Sequence, residues 1–149
     1  MELTLIHPFT IRFSEVDIMN VVWHGAYPLY FEDAREAFGL KYDLSYQRYI
    51  DEGFFAPIVE LDIHYKRPLM YGMQPAVRIT YQPTNSAKVI FDYEIFDPSD
   101  GSIFATAHSV QVFMDKDYQL LWYNPDFYIK WKERWDVISP EGEKLKVKN

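Results

Sequence analysis

The sequence predicts an α+β fold on three observations: one long amphipathic helical pattern early in the chain, strand-like alternations after residue 56, and strong turn signals between them. Leu3 to Phe13 reads as an extended segment ending in Thr10-Ile11-Arg12-Phe13, whose alternation predicts a half-buried strand. From Tyr27 the apolar residues recur as Tyr27, Tyr30, Phe31, Ala34, Ala37 and Phe38, the spacing of one buried helical stripe. Glu32, Asp33, Arg35 and Glu36 take the other positions, so the helix has one core face and one polar face. Pro28 fits the first turn, where its missing N–H has no intrahelical partner to lose, and Gly39 is the predicted stop.

Leu44 to Ile50 predicts a short second helix ending near Gly53. The period then changes. Ile58 to Tyr65 alternates as a strand that Pro68 ends, and Ala76 to Tyr81 reads as the next, closed by Pro83-Thr84-Asn85-Ser86. Val89 to Phe96 and Ile103 to Met114 flank Asp97-Pro98-Ser99-Asp100-Gly101 and predict an antiparallel hairpin. Tyr118 to Trp122 is expected to extend the sheet. Pro125 to Trp135 predicts a last helix, with Phe127, Trp131 and Trp135 on one face. This gives one domain over residues 1–138, with a sheet of about five strands that one helix covers, and a charged, flexible tail over 139–149.

Composition narrows the function. A net charge of −7 leaves no basic face for nucleic acid. The 18% aromatic content predicts a core or pocket rich in flat surfaces. No apolar run is long enough for a membrane span, and no secretory leader is read at the amino terminus, so a cytoplasmic protein is expected. The absence of cysteine removes thiol nucleophiles and thiolate metal sites, and His7, His24, His64 and His108 lack metal-ligand spacing.

The candidate chemistry gathers just before the long helix. Asp17 lies among Val16, Ile18, Met19, Val21 and Val22, which predicts a partly desolvated carboxylate usable as base or nucleophile; a local turn cap is the competing reading. His24 is either a proton donor or a turn residue. The backbone N–H groups of His24, Gly25 and Ala26 at a helix start suit a developing oxyanion, and Gly25 admits a ligand close to the backbone. Trp23 and Tyr27 flank the turn as pocket walls or core residues. Glu32 is a second carboxylate or a solvated surface charge. Lys66-Arg67 is the one positive cluster before the tail and suits phosphates.

Asp17-Ile18-Met19-Asn20-Val21-Val22-Trp23-His24-Gly25-Ala26-Tyr27, followed by Tyr30-Phe31-Glu32-Asp33-Ala34-Arg35, resembles the signature of the 4-hydroxybenzoyl-CoA thioesterase-like acyl-CoA thioesterases. That signature reads roughly D-x-M-G-V-V-Y/W-H/Y-x-N-Y-x-x-Y-F-E-x-A-R. The likeness continues through Tyr65-Lys66-Arg67-Pro68, Phe91-Asp92-Tyr93-Glu94 and Ala105-Thr106, from Phe9 to Leu121. It implies a hot-dog fold, in which an antiparallel sheet wraps one long central helix. It also implies a homodimer whose sheets join, often assembled into a homotetramer, with sites at the subunit interface. By resemblance, Asp17 attacks the thioester carbonyl or activates water, and the N–H at His24 polarises that carbonyl. Lys66 and Arg67 are the candidates for the CoA phosphates.

Two positions depart from the signature. Asn20 replaces a glycine and is expected to take the same left-handed conformation. Ala26 replaces an asparagine and removes a polar side chain from the helix start. The reading is an acyl-CoA thioesterase that needs no metal or redox cofactor, CoA being part of the substrate. Its rivals are a thioesterase acting on acyl carrier protein, against which the acidic charge argues, and a non-catalytic protein that binds acyl or aromatic ligands. A hot-dog dehydratase fits the motif poorly.

Overall fold

A computed structural model describes residues 2–137, so the tail expected over 139–149 lies outside the described residues. Five strands form one antiparallel sheet in the order β1-β4-β5-β6-β3: β1 Thr4–Pro8, β3 Ile58–Tyr65, β4 Ala76–Gln82, β5 Lys88–Phe96 and β6 Ile103–Val112. The long helix α1, Tyr27–Tyr42, lies along one face. This is the mixed α+β layout that the sequence predicts.

The period-2 pattern decides which face is inside. Val77, Ile79 and Tyr81 of β4 and Val89, Phe91, Tyr93 and Ile95 of β5 point inward and are buried, while Arg78, Asp92 and Glu94 are less so. From α1, Tyr27, Tyr30, Phe31, Ala34 and Phe38 are buried against that face. Ring centroids of Phe31 and Tyr93 lie 4.9 Å apart, as do those of Phe38 and Phe91. Each fully buried ring contributes about 2–3 kcal/mol of apolar transfer. The predicted stripe is therefore the buried one, apart from Ala37, which is only partly covered.

Shorter elements close the ends. Ser45 caps α2, Tyr46–Asp51, accepting from the Arg48 N–H at 3.2 Å. β2, Phe54–Phe55, pairs with β7, Met114–Asp115. The carboxy-terminal helix α3, Asp126–Arg134, packs Tyr128 and Trp131 onto Tyr81, and the Tyr81 and Tyr128 hydroxyls meet at 2.6 Å.

Three expectations are corrected. Thr10–Phe13 is not a strand: pairing stops at Pro8, and the Arg12 N–H donates to Glu15 Oε1 (2.7 Å) to start a tight turn, Phe13–Glu15. Gly39 does not end α1, which runs three residues further to Tyr42, with Asp43 as its cap at φ 60°. Glycine is needed there because a Cβ would lie 2.6 Å from both Leu44 O and Ser45 Cα of the returning chain. Tyr118–Trp122 does not extend the sheet. Tyr118 turns at φ 61°, and Asp115 Oδ1 gathers the N–H groups of Asp117 and Gln119. A single bridge, Met114 to Leu120, is all that remains there among the described residues.

Candidate active site

The segment from Glu15 to Ala26 crosses one end of the sheet and is held almost wholly by backbone. The Asp17 N–H donates to Val21 O (2.8 Å) and the Asn20 N–H to Asp17 O (3.0 Å). Asn20 takes φ 66°, the left-handed conformation expected where the signature has glycine. The Val22 N–H reaches Leu69 O and the Trp23 N–H reaches Glu15 O, both at 2.8 Å, which ties the loop to its neighbours. Tyr30, from α1, donates its hydroxyl to Glu15 Oε1 at 2.9 Å, and burial followed by that carboxylate holds the phenol well above its ordinary pKa.

Asp17 Oδ1 accepts from the N–H groups of Met19 (2.9 Å) and Val21 (3.2 Å). These two bonds fix the carboxylate's orientation, and Oδ2 has no protein partner among the described residues. The expected partial desolvation is not found in the single chain: Asp17 is exposed, because Ile18 and Met19 point away from it into solvent. The turn-cap geometry is present, and the same turn leaves one carboxylate oxygen without a protein partner among the described residues.

A cleft of about 410 Å³ gathers Asp17, Trp23, His24, Tyr27, Lys66 and Arg67, with Val21, Val22, Tyr65 and Pro68 as the rest of its wall. Gly25 and Ala26 do not line it. Tyr27 is buried, its ring at 4.7 Å edge-on to Tyr65, and burial raises its phenol pKa. Lys66 and Arg67 arrive from the end of β3, both N–H groups sharing Phe104 O at 2.8 and 3.0 Å, with their side chains exposed.

The turn His24–Ala26 leads directly into α1, with Pro28 in the first helical turn and no side-chain cap. The Ala26 N–H is already donated to Trp23 O at 2.9 Å, so the expected oxyanion set shrinks. The N–H groups of His24 and Gly25 have no partner among the described residues. These are the free donors of the helix start. The space above Gly25 belongs to Trp23, whose ring a Cβ would run into, so a ligand reaches this backbone only beside the indole. Tyr65 adds a contact that the alternation of its strand does not announce: its hydroxyl donates to His24 O at 2.9 Å and pins the turn to β3.

Glu32 is exposed and lies elsewhere. It borders a larger cavity, about 730 Å³, between α1, α2 and the start of β3, to which Asp17 does not contribute. Gln111 also lines that cavity. Its one signal in the sequence is an amide at an inward position of a strongly apolar strand.

Residues 11–132 match the model of the Thioesterase-like superfamily. Among curated proteins, the chain is 30% identical over 107 residues to "Putative acyl-CoA thioesterase YneP" of Bacillus subtilis, covering 72% of this chain and 77% of that one. A DHNA-CoA thioesterase structure from Staphylococcus aureus superposes with a TM-score of 0.73 at 23% identity, over 90% of this chain and 92% of that one. The hypothetical protein TT1821 of Thermus thermophilus gives 0.76 at 25% identity, over 87% and 96%. The sheet-and-helix arrangement described above is thus the hot-dog fold.

Proposed function

Because the chain belongs to the thioesterase-like superfamily, we propose that it hydrolyses an acyl-CoA thioester to the free acid and CoA. One observation carries the reading: a single cleft holds an oriented carboxylate, an uncapped helix start and two cations. Asp17 is the catalytic carboxylate. Its free oxygen either attacks the thioester carbon, expelling CoA thiolate and leaving a mixed anhydride for water to open, or takes a proton from the attacking water. The charge that develops on the carbonyl oxygen is assigned to the free N–H of His24, which lines the cleft at the positive end of α1, with the Gly25 N–H beside it under the Trp23 ring. Neither route calls on a metal or redox cofactor. Lys66 and Arg67, exposed at the mouth, are assigned to the CoA phosphates.

The working unit in this reading is a homodimer, or a homotetramer built from dimers. β3 is an edge strand whose Val59, Leu61 and Tyr65 are 61%, 37% and 49% exposed. Pairing with a second copy would cover that edge and remove Asp17 from bulk water. We place the enzyme in the cytoplasm, and no helix among the described residues is long and apolar enough to cross a membrane.

The test is thiol release from short, long and aromatic acyl-CoAs, with Asp17→Asn measured in parallel. Hydrolysis concentrated on one acyl class and lost in the variant supports the reading. No release from any CoA ester overturns it in favour of a carrier-protein substrate or a binding role.

A further inference from the structure

Glu15 does not line the cleft, yet four hydrogen bonds meet on it. Its Oε1 accepts the Arg12 N–H at 2.7 Å and the Tyr30 hydroxyl at 2.9 Å. Its backbone donates to Arg12 O at 2.9 Å and accepts the Trp23 N–H at 2.8 Å. Asp17 lies just beyond Glu15 in the chain, and His24 follows Trp23. The Glu15–Trp23 bond, with the Val16–Val22 bridge beside it, is therefore the neck of the loop that carries both groups.

The far partner of that carboxylate belongs to the core. Tyr30 is 3% exposed on α1, and its ring stacks on Phe9 with centroids 4.2 Å apart. A ring so enclosed does not follow a moving loop, so its hydroxyl is a fixed point. Among the described residues it makes the one side-chain hydrogen bond between this loop and α1. The loop's other ties, Val22 N–H to Leu69 O and the Tyr65 hydroxyl to His24 O, run to β3 and the segment that follows it. Without the Glu15 carboxylate the loop stays anchored on that side. It is no longer referenced to the helix whose first turn borders the cleft.

We propose that Glu15 is a positioning residue for the reaction: its carboxylate locks the loop to α1 and so sets the Asp17 oxygen against the His24 N–H. It touches no substrate and acts through the two groups that do. The role needs an acceptor at Oε1 rather than a charge, because a phenol hydroxyl and a backbone N–H are both neutral donors. This proposal rests on the thioesterase reading of the cleft.

The experiment takes the acyl-CoA that the wild type cleaves fastest. It measures kcat and KM for Glu15→Ala, Glu15→Gln, Tyr30→Phe and the Glu15→Ala, Tyr30→Phe double variant, each with its amide NMR spectrum. Glu15→Ala should lower kcat about tenfold or more with KM within about twofold, since misplaced reacting groups are felt in turnover first. Glu15→Gln keeps the acceptor and should recover kcat to within about threefold of the wild type. Tyr30→Phe should also lower kcat, and the double variant should be no slower than Glu15→Ala, because both changes cut the same bond. A Glu15→Ala kcat within about twofold of the wild type overturns the proposal. So does a Glu15→Gln enzyme as slow as Glu15→Ala, or losses that multiply in the double variant. If Glu15→Ala does not fold, Tyr30→Phe decides, and an unchanged kcat there overturns the role. The spectra separate the two readings. Wild-type turnover, with the Met19, Val21 and His24 amide signals unmoved in Glu15→Ala, refutes the positioning role and leaves the thioesterase reading standing. Signals that move in Glu15→Ala and return in Glu15→Gln, with no thioester cleaved, refute the thioesterase reading and leave Glu15 as the residue that orders the loop. Neither turnover nor movement refutes both.

Discussion

The two ends of α1 are built to opposite specifications. At the carboxy-terminal end almost every loose carbonyl and charge is answered. The N–H of Leu44 returns to Gly39 O at 2.8 Å, Trp131 Nε1 donates to Tyr42 O at 2.6 Å, and Arg48 and Arg134 both reach Asp43 Oδ2, at 2.9 and 3.0 Å. At the amino-terminal end no side chain caps the helix, and the N–H groups of His24 and Gly25 remain free beside an exposed carboxylate. A helix end that folding has satisfied has nothing left to offer a substrate. The difference separates the residues that hold the protein together from those proposed to do its chemistry.

If that division is right, variants at one end change turnover and variants at the other change stability. Asp17→Asn should show the largest effect. The asparagine Oδ1 still accepts from Met19 and Val21, so the loop keeps its shape while turnover falls by about 100-fold or more. Thermal melting and steady-state kinetics on one preparation check both halves, and a lowered melting temperature would break the comparison. Phe38→Ala comes next, on the stability side. Its ring is fully buried against Phe91 and Tyr42, and truncation should cost about 3–5 kcal/mol in urea unfolding with kcat per folded molecule unchanged.

Gly39→Ala sharpens the same point with a single methyl. The added Cβ meets backbone rather than a flexible side chain, so about 1–3 kcal/mol should be lost, again without a change in kcat. Tyr65→Phe should have the smallest effect, and on the other side of the division. It removes one partly exposed hydroxyl bond to His24 O, worth about 1 kcal/mol, and should lower kcat/KM about fivefold with less change in stability. A Tyr65→Phe enzyme that melts early yet turns over normally would place this tyrosine among the structural residues.

Most of the architecture was legible because it is periodic. The stripe from Tyr27 to Phe38 and the alternations of β3, β4, β5 and β6 each follow from where neighbouring side chains must point. The failures share a cause: each depended on a contact with residues distant in the chain or on a local turn that outcompeted the pattern. Thr10–Phe13 alternates well enough for a strand but has no partner once Pro8 ends the ladder. Gly39 looks like a helix stop, yet it serves the chain that folds back at Leu44 and Ser45.

The sequence by itself determined the α+β layering and the place of the Asp17–Tyr27 segment just before α1, since each is settled by residues adjacent in the chain, while the left-handed turn at Asn20 was expected from the glycine that the resembled signature has there. Only the tertiary structure brought Lys66, Arg67 and Tyr65 beside Asp17, exposed that carboxylate, gave the Ala26 N–H to Trp23, and sealed Gln111 Oε1 without a partner. Those outcomes turn on which groups from separate strands and loops compete for the same space and the same hydrogen bonds. That competition is decided when the sheet closes on the helix.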